Sequence, residues 1–298
     1  MNIKRYNFSR RFAESLRERI IKTDLRIDNT IFGSVKIIFF LQRKLSLFFL
    51  SCGALFVIFS IWFQFPQLIL IFIGLMFVYV KWVKTILHEV FVLKFANKHS
   101  FEYRESANAK ELVGRLFSYG SDEKMSNVIW TEYSGFPMRT FNYQVFVGSS
   151  KNRTIKFFTV TEIVIEKTEF PYILLYSKTM GYQFRIDRLL GSNEVKLPLE
   201  KQFSSKYDLY SVEGYGIEIY QIFSEDLMSY LVEHGSHLSI EFSQNKIYIY
   251  DDRRIVDEKE LSDMITVSKM IIDQRGGLLK RLHDDFEVLD PYFKKNIE

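Results

Sequence analysis

The chain has 298 residues and one cysteine, Cys52. One thiol forms no intrachain disulfide and no multi-cysteine metal site, a usage that fits a soluble part kept in a reducing cytoplasm. Several chemical signatures are missing as well. There is no complete Gly-x-Gly-x-x-Gly and no Gly-Lys-Ser/Thr to cradle a phosphate. There is no Gly-x-Ser-x-Gly, no His-Glu-x-x-His and no kinase set. Charge of either sign is absent from one long stretch: between Lys44 and Lys81 stands no Asp, Glu, Lys, Arg or His. Intramembrane ionisable groups mark ion and proton pathways, so their absence speaks against a transporter or proton channel.

That uncharged stretch, Leu45 to Val83, is the dominant feature. About 20 apolar residues cross a hydrocarbon core roughly 30 Å thick, and a single helix over this whole length overshoots by more than tilt absorbs. It is therefore expected to turn at Gln64-Phe65-Pro66-Gln67, giving a transmembrane hairpin over 45–83 with spans at about 45–63 and 67–83. Lys36, Arg43 and Lys44 precede the first span; Lys81, Lys84 and Lys94 follow the second. Positive flanks mark the cytoplasmic side, so both termini are expected there, in an integral protein of the cytoplasmic (inner) membrane. Gly53 and Gly74 would let the spans approach closely.

Charge is asymmetric along the chain. Through Phe95 there are 14 Lys and Arg against 5 Asp and Glu; the remainder has 26 against 31. The basic excess belongs to the anchor half, which does not read as a nucleic-acid footprint. Residues 1–44, with a loose stripe at Phe12, Leu16 and Ile20, read as a basic cytoplasmic and interfacial helical segment. Such a segment sets topology and is also the candidate for binding anionic lipid. No cleavable signal is read at the N-terminus.

Residues 84–134 read as a helical connector. Ile86, Val90 and Leu93 share a face, His88 is expected at the membrane interface, and 105–118 forms a further helix. From Gly135 the period changes to two, and 135–298 is expected to be a cytoplasmic α+β domain. Its strands are read at 141–147, 154–166 and 172–177 as an antiparallel meander, with a short strand at 207–210. Ser224 caps a helix closed by His234 and Gly235. Leu238–Phe242 and Lys246–Tyr250 form a hairpin, and Asp257 caps a helix over 258–274. The fold class is thus α+β: a two-helix transmembrane hairpin, then a soluble antiparallel sheet with packed helices.

Candidate chemistry is sparse. His234 and His237 have His-x-x-His spacing, but Gly235-Ser236 between them makes a helix cap and a loop histidine the better reading. His283-Asp284-Asp285 reads as a solvated tail. Asp251-Asp252-Arg253-Arg254 reads as a solvated turn, with a docking patch as the other reading. Val212 to Gly216 reads as a turn. No catalytic, cofactor-binding or metal-ligating residue is assigned, and no cofactor.

Within residues 200–251 one pattern stands out: Phe203, Tyr207, Leu209, Tyr210 and Ser211, then Phe223-Ser224-Glu225, then Ile247 to Tyr250. In this the chain resembles a bacterial family of uncharacterised membrane-anchored proteins, with Glu225 where the family has Pro. The resemblance implies two N-terminal transmembrane helices and a β-rich cytoplasmic domain, and no activity. The expected function is that of a non-enzymatic interaction or scaffold factor at the cytoplasmic membrane face, with membrane lipids and a protein as partners. A membrane-tethered enzyme and an anionic-lipid-binding protein are the alternatives.

Overall fold

A computed structural model describes residue 18, residues 51, 53–55 and 62, and residues 67–273 apart from 119, 149–151, 166–169, 181–189, 192, 215–218 and 221. The chain divides into two compact units, 1–99 and 100–298. In the first, helix α1 (Gln67–Lys98) runs unbroken for 32 residues, about 48 Å at 1.5 Å per residue. Its two halves differ. Leu70, Ile71, Ile73, Leu75, Phe77 and Val78 are all exposed, so this part is apolar on every side rather than along one stripe. From Val83 onward a stripe is buried: Val83, Ile86, Leu87, Val90 and Phe95. The expected interfacial His88 is 5% exposed, its ring stacked on Phe91 at 6.2 Å. Ile69–Lys98 is long and apolar enough to cross a membrane, and it is the one such helix among the described residues. The expected span at 45–63 and the turn at 64–66 lie outside them, apart from a few isolated positions.

The second unit is built on one nine-stranded, wholly antiparallel sheet. Its strands are β1 (Glu102–Ala107), β2 (Ser121–Tyr133), β3 (Phe136–Val147), β4 (Thr154–Val164), β5 (Phe170–Ser177), β6 (Glu194–Leu197), β7 (Tyr207–Val212), β8 (Ser239–Gln244) and β9 (Lys246–Asp251). Their order is β1-β2-β3-β4-β9-β8-β5-β7-β6. With helices α2 (Glu225–His234) and α3 (258–273), the unit is α+β, as expected.

Two expectations are corrected. The connector is helical only to Lys98; the helix expected over 105–118 is replaced by β1 and two 3-10 turns, Ala109–Glu111 and Arg115–Ser118. At Gly114 this segment passes close to the sheet: a Cβ there would lie 3.0 Å from the rings of both Phe117 and Tyr248. The strand β2 escaped notice because Asp122 and Asn127 adopt positive φ, beside register shifts that break its alternation. It joins β3 through Ser134-Gly135, also at positive φ, the two-residue hairpin geometry. Nor do 141–147, 154–166 and 172–177 form one meander. The β8-β9 hairpin enters between β4 and β5, pairing Val160 with Tyr250 and Leu174 with Glu241. All eight residues of β5 are buried, the continuous apolar run of a central strand. Pro171, which lacks an amide donor, sits where the β5–β8 register shifts.

Register defines two faces. One carries Trp130, Arg139, Glu162, Tyr248, Glu241, Leu174 and Tyr210 in a row, each opposite the next. The other carries Thr140, Thr161, Ile249, Ile240, Leu175 and Leu209. On this second face the Tyr207 hydroxyl donates to the Gly235 carbonyl at the end of α2, 2.6 Å, and Phe223 meets Phe242 edge-on. The caps form as read: Ser224 accepts from the Leu227 amide, and Asp257 accepts from Lys259 and Glu260. The tail from 274, including Gly276-Gly277 and His283-Asp284-Asp285, lies outside the described residues.

Candidate functional site

The two histidines of the His-x-x-His spacing keep different company. His234 ends α2 beside Tyr230, ring centroids 4.7 Å apart. His237, in the turn before β8, places Nε2 3.5 Å from Asp251 Oδ2. Asp251 corrects the expectation of a solvated turn, for it is 0% exposed. It sits opposite Thr159 on the helix-bearing face, and Arg253 folds back onto it at 3.1 Å while reaching Glu260 at 2.8 Å. Arg254 lies over the Phe157 ring at 4.0 Å. Burial pushes the Asp251 carboxyl up to about 7, against the pull of Arg253. Burial, then Arg253, pushes His237 down.

His237 Nε2 and Asp251 Oδ1 make no hydrogen bond, and the Thr159 hydroxyl, on the residue facing Asp251, donates to the Arg253 carbonyl and accepts the Ile255 amide, each at 2.9 Å. Among the described residues no three His, Cys, Asp or Glu side chains converge to hold a metal ion. Gly214 turns the chain at positive φ. A Cβ on Gly74 would meet nothing within 4 Å.

A second cluster was not anticipated. The segment 109–118 forms a strap across the tyrosine-rich face, fastened by side chains. Glu241 Oε1 accepts the Arg115 amide at 2.5 Å and Oε2 the Leu116 amide at 3.4 Å. The Tyr248 hydroxyl accepts the Val113 amide, and Ser243 Oγ donates to the Val113 carbonyl. Lys246 Nζ donates to the Glu111 carbonyl. Phe117 plugs the layer, meeting Tyr143 and Tyr248 edge-on at 5.0 and 4.8 Å. Below the strap, Arg139 and Glu162 form a buried ion pair at 2.9 Å.

The strap's own cation completes the cluster. Arg115 Nη2 lies 2.6 Å from Glu194 Oε1, and its guanidinium carbon sits 3.7 Å from the centroid of the Tyr172 ring. Burial drives the Glu241 carboxyl up to about 7, opposed by the two amides it accepts. Burial also holds the Tyr172 phenol well above its ordinary range, with Glu241, Arg115 and Glu194 all within electrostatic reach. The signal for this site was present in LSIEFS: an acid at position 241 flanked by Ser239 and Ser243 on one strand face. The strap covers Glu241 and Ser243, and Ser239 packs instead against Met180 and the Ser177 amide.

No family model matches the chain. No curated protein matches it in sequence. Among solved structures it is similar to the crystal structure of the mycobacterial trehalose monomycolate transport factor A, TtfA, with a TM-score of 0.47 and 11% identity. That likeness covers 63% of this chain and 95% of that chain.

Proposed function

We propose that the chain is a non-enzymatic interaction or scaffold factor at the cytoplasmic membrane face, tethered by a two-span hairpin with both termini cytoplasmic. One observation carries the reading. The first half of α1 leaves Leu70, Ile71, Ile73, Leu75, Phe77 and Val78 exposed. Burying a large apolar side chain is worth about 1.5–3 kcal/mol, so six together strongly favour a bilayer over water. The positive flanks Lys81 and Lys84 orient the helix by the positive-inside rule, and the family resemblance over 200–251 supports the same architecture. A carbonate wash of membranes, with protease protection of the loop near residue 66, tests the tether. Extraction by carbonate, or cleavage at both termini from the outer side, defeats it. Affinity capture from crosslinked membranes tests the interaction; recovery of the bait alone at native expression defeats that part.

A further inference from the structure

The Arg115 cluster holds more hydrogen-bonding capacity than Arg115 uses. Guanidinium groups pair best with a carboxylate through two parallel bonds, but of the two Glu194 oxygens it is Oε1 that Arg115 Nη2 meets. Glu194 Oε2 is buried with no hydrogen-bond partner, as is the Tyr172 hydroxyl. Both side chains are deeply buried, Glu194 at 3% exposure and Tyr172 at 8%. The reason for the mismatch is local. The backbone of Arg115 is fastened to Glu241 through its own amide, so its side chain approaches Glu194 and Tyr172 from a fixed origin. Arg115 is also the most open member of the set, with a side chain 34% exposed. Glu194 lies on β6, an end strand of the sheet, so the cluster stands at an edge. The neighbouring Asp208 forms a separate closed set with Lys178 and Lys196.

We propose that Tyr172, Glu194 and Glu241 form a recognition box for a guanidinium group, with Arg115 as its resident occupant, exchanged for an arginine of a basic peptide on the docked partner. An aromatic face with a carboxylate at its rim is the arrangement that selects guanidinium, by stacking and by a planar fork of donors. An arginine on a separate chain is free to meet both Glu194 oxygens, which the tethered one does not. The proposal rests on the interaction reading above and specifies its contact.

The test uses the full chain in detergent micelles, with methylguanidinium as the probe and methylurea as its neutral isostere. In Arg115→Ala, about 20 mM methylguanidinium is expected to raise the Tm by roughly 3 °C or more, while methylurea does nothing and the wild type, its box filled, does not respond. Arg115→Ala/Glu194→Gln is expected to lose the response. Equal shifts with methylurea, an unchanged response in the double variant, or no shift in Arg115→Ala overturns the box. Should Arg115→Ala fail to fold, Arg115→Lys keeps a cation but loses the fork. A labelled hexa-arginine peptide is then expected to bind it about tenfold tighter than wild type, a gain that Glu194→Gln removes; equal binding overturns the proposal. Crosslinked capture with Glu194→Gln separates the two readings. A partner retained undiminished by this variant refutes the box and leaves the interaction standing. No partner with either chain refutes the interaction and the exchange together.

Discussion

On one face of the sheet Phe242, Ile240, Ile249, Leu175 and Leu209 are 0% exposed, and the main polar tie to α2 is a tyrosine on two carbonyls. On the other, tyrosines, two glutamates and an arginine share the layer, and the cover is a strap without a regular helix. The first face is closed mainly by apolar area, which is non-directional and indifferent to pH, with the buried Asp251 as its titrating exception. The second is closed by side chains that satisfy a strap's backbone groups. Buried hydrogen bonds contribute modestly when made and are costly when one partner is lost. A sheet can thus close one face with apolar area and the other with a hydrogen-bonded strap.

The largest effect is expected on the apolar face. Phe242→Ala should cost about 3–5 kcal/mol at every pH, read as a shift of the denaturation midpoint with an unchanged slope. A strongly pH-dependent loss would break the contrast between the faces.

Acidity separates them next. Glu241 ionises in the folded chain only near pH 7, against an ordinary 4.5. Between those values the folded state holds a proton that the unfolded state has released. Stability is therefore greatest below about pH 4.5, falls as pH rises towards 7, and is flat above, by on the order of 3 kcal/mol for this group. Asp251 adds a decline of the same sign between 3.8 and about 7. Urea denaturation of Glu241→Gln across this range should show a shallower decline, and Glu241→Gln/Asp251→Asn an almost level one. An unaltered slope in both variants contradicts the assignment.

Smaller effects sharpen the picture. Tyr248→Phe removes the acceptor of the Val113 amide and should cost about 1–3 kcal/mol. Hydrogen exchange should quicken at Val113 and its strap neighbours more than in α2; uniform quickening would mean that the strap is not a separate unit. Asp257→Ala removes the cap of α3 and should cost about 1 kcal/mol, with no change in strap exchange. Thermal denaturation measures it.

Local signals were readable wherever their cause was local. Ser224, Gly235 and Asp257 bound helices by capping chemistry that depends on a few adjacent residues. The β8-β9 hairpin turns at Gln244-Asn245, with Gln244 at positive φ. Strand pairing was not readable, because β4 and β5 are equally good partners for each other and for β8-β9 by composition. Nor was the strap: ESANAKELVGRLFS has helical composition, but backbone groups of Val113, Arg115 and Leu116 bond instead to side chains of the sheet. The Asp251-Asp252-Arg253-Arg254 run looked solvated because charge in a turn ordinarily is; Asp251 ends a strand paired with β4, where Thr159 faces it from far along the chain.

By itself the sequence determined an apolar stretch beginning after Lys44, the caps, and an α+β domain, since each rests on periodicity or on neighbours in the chain. Tertiary structure alone decided that β8-β9 splits the expected meander and that Glu241 is buried. It alone set Arg115 against Glu194 and Tyr172. Those three residues are scattered along the chain, and only strand order and the strap's path across the sheet bring them within bonding distance.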